Sequence, residues 1–129
     1  VATIGQAVLN ISRRAEKMVR GTVIGCASRI IKRTPVDEGT LRGNWQPSLS
    51  EPINAEITRK DKNASAVSAD IMREGQRLKI GGVFFMSNNL SYAAKIEFDG
   101  WSKFKAPQGM MRIEVLETAA AIRANRMKD

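Results

Sequence analysis

The sequence predicts an α+β protein: a long N-terminal helix, a small antiparallel, mostly β-sheet, one middle helix and a C-terminal helix packed on the sheet. Three observations lead there. Apolar residues recur at helical spacing over residues 3–33 and again over 110–127. Between them, residues 52–59 alternate with a period of two. Glycine and proline clusters mark each change of period. The chain has 129 residues and no internal repeat or low-complexity linker, which suits one domain over 1–129.

The first element reads as a helix from Thr3 to Arg33. Ile4, Val8, Ile11, Ala15 and Met18, then Val23, Cys26 and Ile30, share a broad face. Arg13, Lys17 and Arg20 project from the other side as a basic helix face. About 30 residues at 1.5 Å each make a helix on the order of 45 Å long. Gly21 and Gly25 each weaken it by about 1 kcal/mol relative to alanine, so a bend or break is expected there. Cys26 lies on the apolar side and reads as a small core residue.

RTPVDEGTLRGNW, residues 33–45, ends this helix. Pro35 disfavours a helical Thr34, and Val36-Asp37-Glu38-Gly39 is turn chemistry. Asp37 and Glu38 are adjacent acids, but neighbours in a turn point apart and stay solvated, which makes them a poor catalytic pair. Residues 44–50 and 52–59 then read as a hairpin turning about Ser50-Glu51-Pro52, with Ile53, Ala55 and Ile57 on one face. Pro47 makes the first of these strands an edge or a bulged strand, open to a neighbouring subunit.

Asp61 to Arg77 returns to the helical period, with Asn63 or Ser65 available as N-cap and Gly75 near the end. A short apolar strand, Val83 to Met86, enters through Gly81-Gly82 and closes on Asn88-Asn89. Those two glycines are too sparse for a phosphate-binding loop. Tyr92 to Phe98 suits either a short helix or a strand. WSKFKAPQG reads as a loop, and Met110 to Met127 as the last helix.

Composition narrows the chemistry. The chain has no histidine and one cysteine, so an internal disulfide, the usual zinc and iron sites, and Ser–His or Cys–His nucleophiles are all excluded. There is no apolar run long enough for a membrane span, and VATIGQAVLNIS lacks the pattern of a secretory signal. Net charge is +8, and residues 1–34 contribute +6 of it, with Glu16 their only acid. Such a basic element steers toward nucleic acid or an acidic partner, or is simply a solvated face.

Two segments together carry a family resemblance. RTPVDEGTLRGNW resembles a TPVDTGxLRxSW junction, and SNNLSYAAKIEFDGWSKFKAPQGMMR resembles an NNxPYAxxLExGxSxQAPxGM segment. Both are features of the neck, or tail-completion, proteins of long-tailed bacteriophages, also described as head–tail connector or minor tail proteins. Glu38, Ser91 and Lys105 depart from the family's usual threonine, proline and glutamine.

The resemblance implies a homo-oligomeric ring, six-fold to match a tail tube, around the DNA channel in the virion and assembled in the host bacterial cytoplasm. Its partners would be further copies of itself, other neck and head-completion proteins, tail-tube or tail-terminator proteins, and DNA in the channel. It implies no catalytic residue, cofactor or metal. Pro35, Asp37, Gly39 and Gly43 would fix the junction, Leu41 and Trp45 would pack, and Arg42 would pair with an acid such as Glu97. Asn88, Asn89, Tyr92, Glu97, Trp101, Phe104, Pro107, Gly109 and Met110 would shape a surface facing a neighbouring subunit.

Two competing readings come from the residues alone. The basic helix, with Arg13, Arg14, Lys17, Arg20, Arg29, Lys32 and Arg33, could neutralise nucleic-acid phosphates. An enzyme would need carboxylate pairs such as Glu51/Glu56 or Asp70/Glu74, yet Arg73 and Arg77 beside the latter favour ordinary salt bridges.

Overall fold

The computed structural model describes residues 3–99, 106 and 109–128, with side chains as far as residue 124. It is α+β and mostly helical, with five helices and a two-stranded antiparallel sheet among the described residues.

Helix α1 spans Ile4–Arg33. Thr3 caps it: its hydroxyl accepts from the Gln6 amide at 3.1 Å, and Gln6 Oε1 accepts from the Thr3 amide at 3.0 Å. This reciprocal pair satisfies two donors that the first turn would otherwise leave open. At the other end Thr34 is extended, ahead of Pro35, and its hydroxyl donates to the Ile30 carbonyl at 2.8 Å. The break expected at Gly21 and Gly25 does not occur; the helix runs through both. A penalty of about 1 kcal/mol per glycine is small beside the burial of Ala27, Ile30 and Ile31 in the following turns.

One turn of helix, α2 (Thr40–Gly43), leads into β1 (Gln46–Ser48). The partner of β1 is β2 (Phe85–Ser87), antiparallel, with Pro47 opposite Met86. The expected hairpin between 44–50 and 52–59 is therefore corrected. Residues 52–59 belong to no helix or strand. Side-chain amides hold them instead. Asn44 Oδ1 accepts from the Ile57 amide at 2.9 Å, while Gln46 Nε2 and Asn89 Nδ2 donate to the Ala55 carbonyl. Alternation in this stretch accompanies half-burial of Ile53 and Ile57, with Ala55 exposed, and no backbone ladder.

Helix α3 (Ser65–Gly75) packs on β1 and crosses α1. Neither Asn63 nor Ser65 caps it. The cap position is Ala64 in the left-handed region (φ 63°), and Asp61 supplies the missing acceptor, its Oδ2 taking the buried Val67 amide at 2.8 Å. Tyr92–Phe98 resolves as helix, α4 spanning Ala93–Asp99. Helix α5 (Arg112–Lys128) lies against α1. The core gathers Ile30 and Ile31 of α1, Leu41, Trp45, Val67 and Ile71 of α3, Ile96 of α4 and Met110.

Candidate functional site

The joint between helix and sheet is built by hydrogen bonds that end inside the chain. Trp45 Nε1 donates to Thr34 Oγ1 at 2.8 Å, and that hydroxyl donates on to Ile30. Leu41 and Trp45 are buried at 5% and 4% exposure, as their expected packing requires. Gly39 sits at φ +90°, and its carbonyl accepts from the Gly43 and Asp61 amides. Gly43 passes so close to a neighbouring segment that an added Cβ would lie 2.3 Å from the Arg59 carbonyl oxygen. Asn44 is fully buried and donates to the Thr40 carbonyl at 2.8 Å. Pro35 is half-buried at the helix end, while Asp37 and Glu38 are exposed, Glu38 lying 3.3 Å from Lys60.

Arg42 and Glu97 do not pair. Arg42 Nη1 donates to the Lys62 carbonyl at 2.8 Å, tying α2 to the segment before α3. Glu97 turns instead to the start of α5. Its carboxylate accepts from the backbone amides of Met110, Met111 and Arg112 at 2.6, 2.9 and 2.7 Å, and from Arg112 Nε at 3.2 Å. A helix N-terminus offers free N–H groups and positive potential, so a carboxylate satisfies both. Residue type alone made Arg42 an eligible partner, but three amides in a row are a better match for two carboxylate oxygens. Burial pushes the Glu97 carboxyl up, yet the three amides and Arg112 outweigh it and hold it below the ordinary value. Arg112 also lies over the Phe98 ring, 4.5 Å from its centroid.

The other residues expected at a subunit surface are likewise engaged within the chain. Asn88 Nδ2 donates to the Leu41 carbonyl, Asn89 Nδ2 to those of Ile53 and Ala55, and Tyr92 packs on the core. Gly109 (φ +89°) leaves no room for a Cβ beside Glu97, and Met110 is 1% exposed. Trp101, Phe104 and Pro107 lie outside the described residues.

The basic face divides. Arg20 is tied to Glu16 and donates to the Leu78 carbonyl at 2.7 Å, so it is not the free cation its spacing suggested. Arg29 and Arg33 flank the buried Glu114 of α5 at 2.9 and 2.6 Å. Burial raises the Glu114 carboxyl, and the two guanidinium groups more than offset this, leaving it below its ordinary value. Arg13, Arg14 and Lys17 are exposed and without an ion-pair partner among the described residues.

The feature that sequence reasoning missed is the state of the apolar face opposite them. Ile4, Val8, Ile11 and Met18 share the apolar face that the spacing defines, yet they are 85%, 57%, 67% and 73% exposed. A signal for this was present in the length. A compact body of 129 residues has a radius of gyration near 14 Å, so a helix on the order of 45 Å must project beyond it. Further along the same face, Val19, Thr22, Cys26 and Ile30 floor an open groove of about 560 Å³. Phe84 and Met86 line one side of it and Val115, Ala119 and Ile122 of α5 the other.

Among the described residues no three His, Cys, Asp or Glu side chains are grouped to hold a metal ion, and no helix is long and apolar enough to cross a membrane. Asp70 is bound to Arg59 and Arg73, and Glu74 lies beside Arg73 and Arg77. The arrangement leaves an exposed apolar stripe and an open apolar groove. No protein-family model, curated protein or solved structure matches this chain.

Proposed function

We propose that this chain is a structural virion protein of a tailed bacteriophage, acting without catalysis in a homo-oligomeric ring at the head–tail junction. There it completes the tail or joins it to the DNA-filled head. The observation that carries the reading is the bare apolar stripe of α1, which finds no cover among the described residues and suits a subunit built to assemble. The two family-like segments support it. Their residues act as fasteners of the joint and of the α5 start, an investment in shape and not in chemistry. Electron microscopy of lysates from phage carrying a stop codon in this gene tests it. Filled heads beside separate tails of normal length are expected, overlong tails would mark a tail terminator, and intact infectious particles would sink the reading.

A second reading, a nucleic-acid-binding module, is favoured by the unpaired Arg13, Arg14 and Lys17 and by a cleft of about 300 Å³ where Lys32, Arg33 and Arg42 meet. It is weakened by the engagement of Arg20, Arg29 and Arg33 in ion pairs. Phosphate contacts make affinity fall steeply with salt. Binding of random duplex DNA that persists above physiological salt would favour this reading over the first.

A further inference from the structure

Helix α1 carries one apolar face along its whole length. At 100° per residue, Ile4, Val8, Ile11, Ala15, Met18, Thr22 and Cys26 fall within a sector about 80° wide. The two halves of this face differ only in what flanks them. The C-terminal half is the floor of the groove walled by β2 and α5, and the N-terminal half has no walls among the described residues.

We propose that the bare stripe of one copy seats in the groove of a second copy. The contact rests on the ring reading for its closure and names the surfaces that make the ring. Four observations point to this occupant. Stripe and groove floor lie on one continuous helix and face the same way, so a chain cannot fill its own groove. Their lengths match: Ile4 to Met18 is about 21 Å along the axis and Val19 to Ile30 about 17 Å. Both surfaces are apolar, and Arg13 and Lys17 project from the far side of the helix, so seating the stripe leaves them in water. With Ile4, Val8, Ile11 and Met18 exposed at 85%, 57%, 67% and 73%, the stripe is a contiguous apolar patch on the order of a few hundred Å², the size at which an exposed patch marks an association site. DNA would leave the apolar face uncovered, and a flat membrane would leave the groove unfilled.

Donor and acceptor surfaces are different, so the contact is heterologous. Each copy offers one stripe and one groove, and such contacts close into rings when the rotation permits.

The test uses two substitutions at exposed positions, Met18→Lys in the stripe and Ile122→Lys in the groove wall, 73% and 44% exposed. Light scattering of the unaltered protein should show a discrete oligomer. Each variant should keep its circular dichroism and assemble at least about thirtyfold less readily, the effect of one lost hot-spot side chain. Mixed together, they retain one sound stripe and one sound groove, and should form a 1:1 dimer and nothing larger.

Cross-linking gives a second readout. A chain carrying Ile11→Cys with Cys26→Ala is mixed with the unaltered chain and treated with a short bismaleimide. Each chain then carries one thiol, so every link joins two copies, and links between 11 and 26 place the stripe of one copy on the groove floor of another. A protein that stays monomeric, links chiefly 11 to 11, or gives no dimer on mixing the two lysine variants overturns the proposal. So does a monomer whose groove takes up an apolar dye or whose stripe binds anionic vesicles. A monomeric pure protein from a phage whose mutant fails to join its tails would defeat this contact alone. Fully infectious stop-codon phage would defeat the neck reading while leaving the measured contact in place.

Discussion

Gly43 and Gly21 show how differently one residue type can matter. A methyl group on Gly43 would meet backbone, the Arg59 carbonyl oxygen at 2.3 Å, and neither side can move without opening the joint. Gly43→Ala is expected to destabilise the chain by about 3 kcal/mol, read as a lower urea midpoint. Gly21→Ala meets nothing within 4 Å and should stabilise by about 1 kcal/mol through helix propensity. Glu97 is the third residue on which much turns. Glu97→Gln keeps the shape but leaves one neutral acceptor oxygen and turns a donor NH2 toward N–H groups that the second carboxylate oxygen had satisfied. It should cost about 1.5–3 kcal/mol, the range for hydrogen bonds to a charged group. A double-mutant cycle of Glu97→Gln with Arg42→Ala should show additive costs, because Arg42 bonds the Lys62 carbonyl and not Glu97; coupling between the two would restore the pairing that residue types suggested.

At the scale of elements, the crossing of α1 and α3 depends on a missing side chain. An added Cβ at Gly75 would lie 2.3 Å from Ile24 Cγ1, so the helices approach through a glycine on one and a branched side chain on the other. Gly75→Ala should cost about 2 kcal/mol by overpacking. In an Ile24→Ala background the same change should cost less than about 1 kcal/mol, because the obstructing atoms are gone. A thermodynamic cycle over the four proteins measures this coupling; additive costs would show that the two helices do not meet there. The two strands teach a related lesson. Residues 52–59 have the alternation of a strand, yet amide side chains of Asn44, Gln46 and Asn89 supply their partners. Alternation constrains which side is buried but cannot say which backbone lies alongside.

For the whole molecule, two carboxylates link separate parts of the chain. Glu97 joins α4 to the start of α5, and Glu114 joins α5 to the last turns of α1. Both are held below the ordinary carboxyl value of 4.5 in the folded chain. Between the folded and unfolded values the unfolded chain binds more protons, so stability rises with pH there. The contribution is complete above the unfolded value and disappears as acid passes through the folded ones. Urea midpoints followed downward through pH 4.5 should fall, and the fall should be shallower in a Glu97→Gln, Glu114→Gln double variant. An identical slope in that variant would place the acid sensitivity elsewhere.

Local chemistry alone determined much of this protein. Helix spacing located α1, α3 and α5, Pro35 stopped α1 where it stops, and the turn residues marked the joint, because these depend on neighbours a few positions apart. The α+β class followed from the same periods. Tertiary structure alone decided the partner of β1, the true role of Glu97 and which cations on α1 remain free, since each depends on residues brought together from far along the chain. It also decided that the first half of the α1 apolar face lies bare. Periodicity shows that a helix has an apolar side; only the placement of everything else shows whether that side is covered.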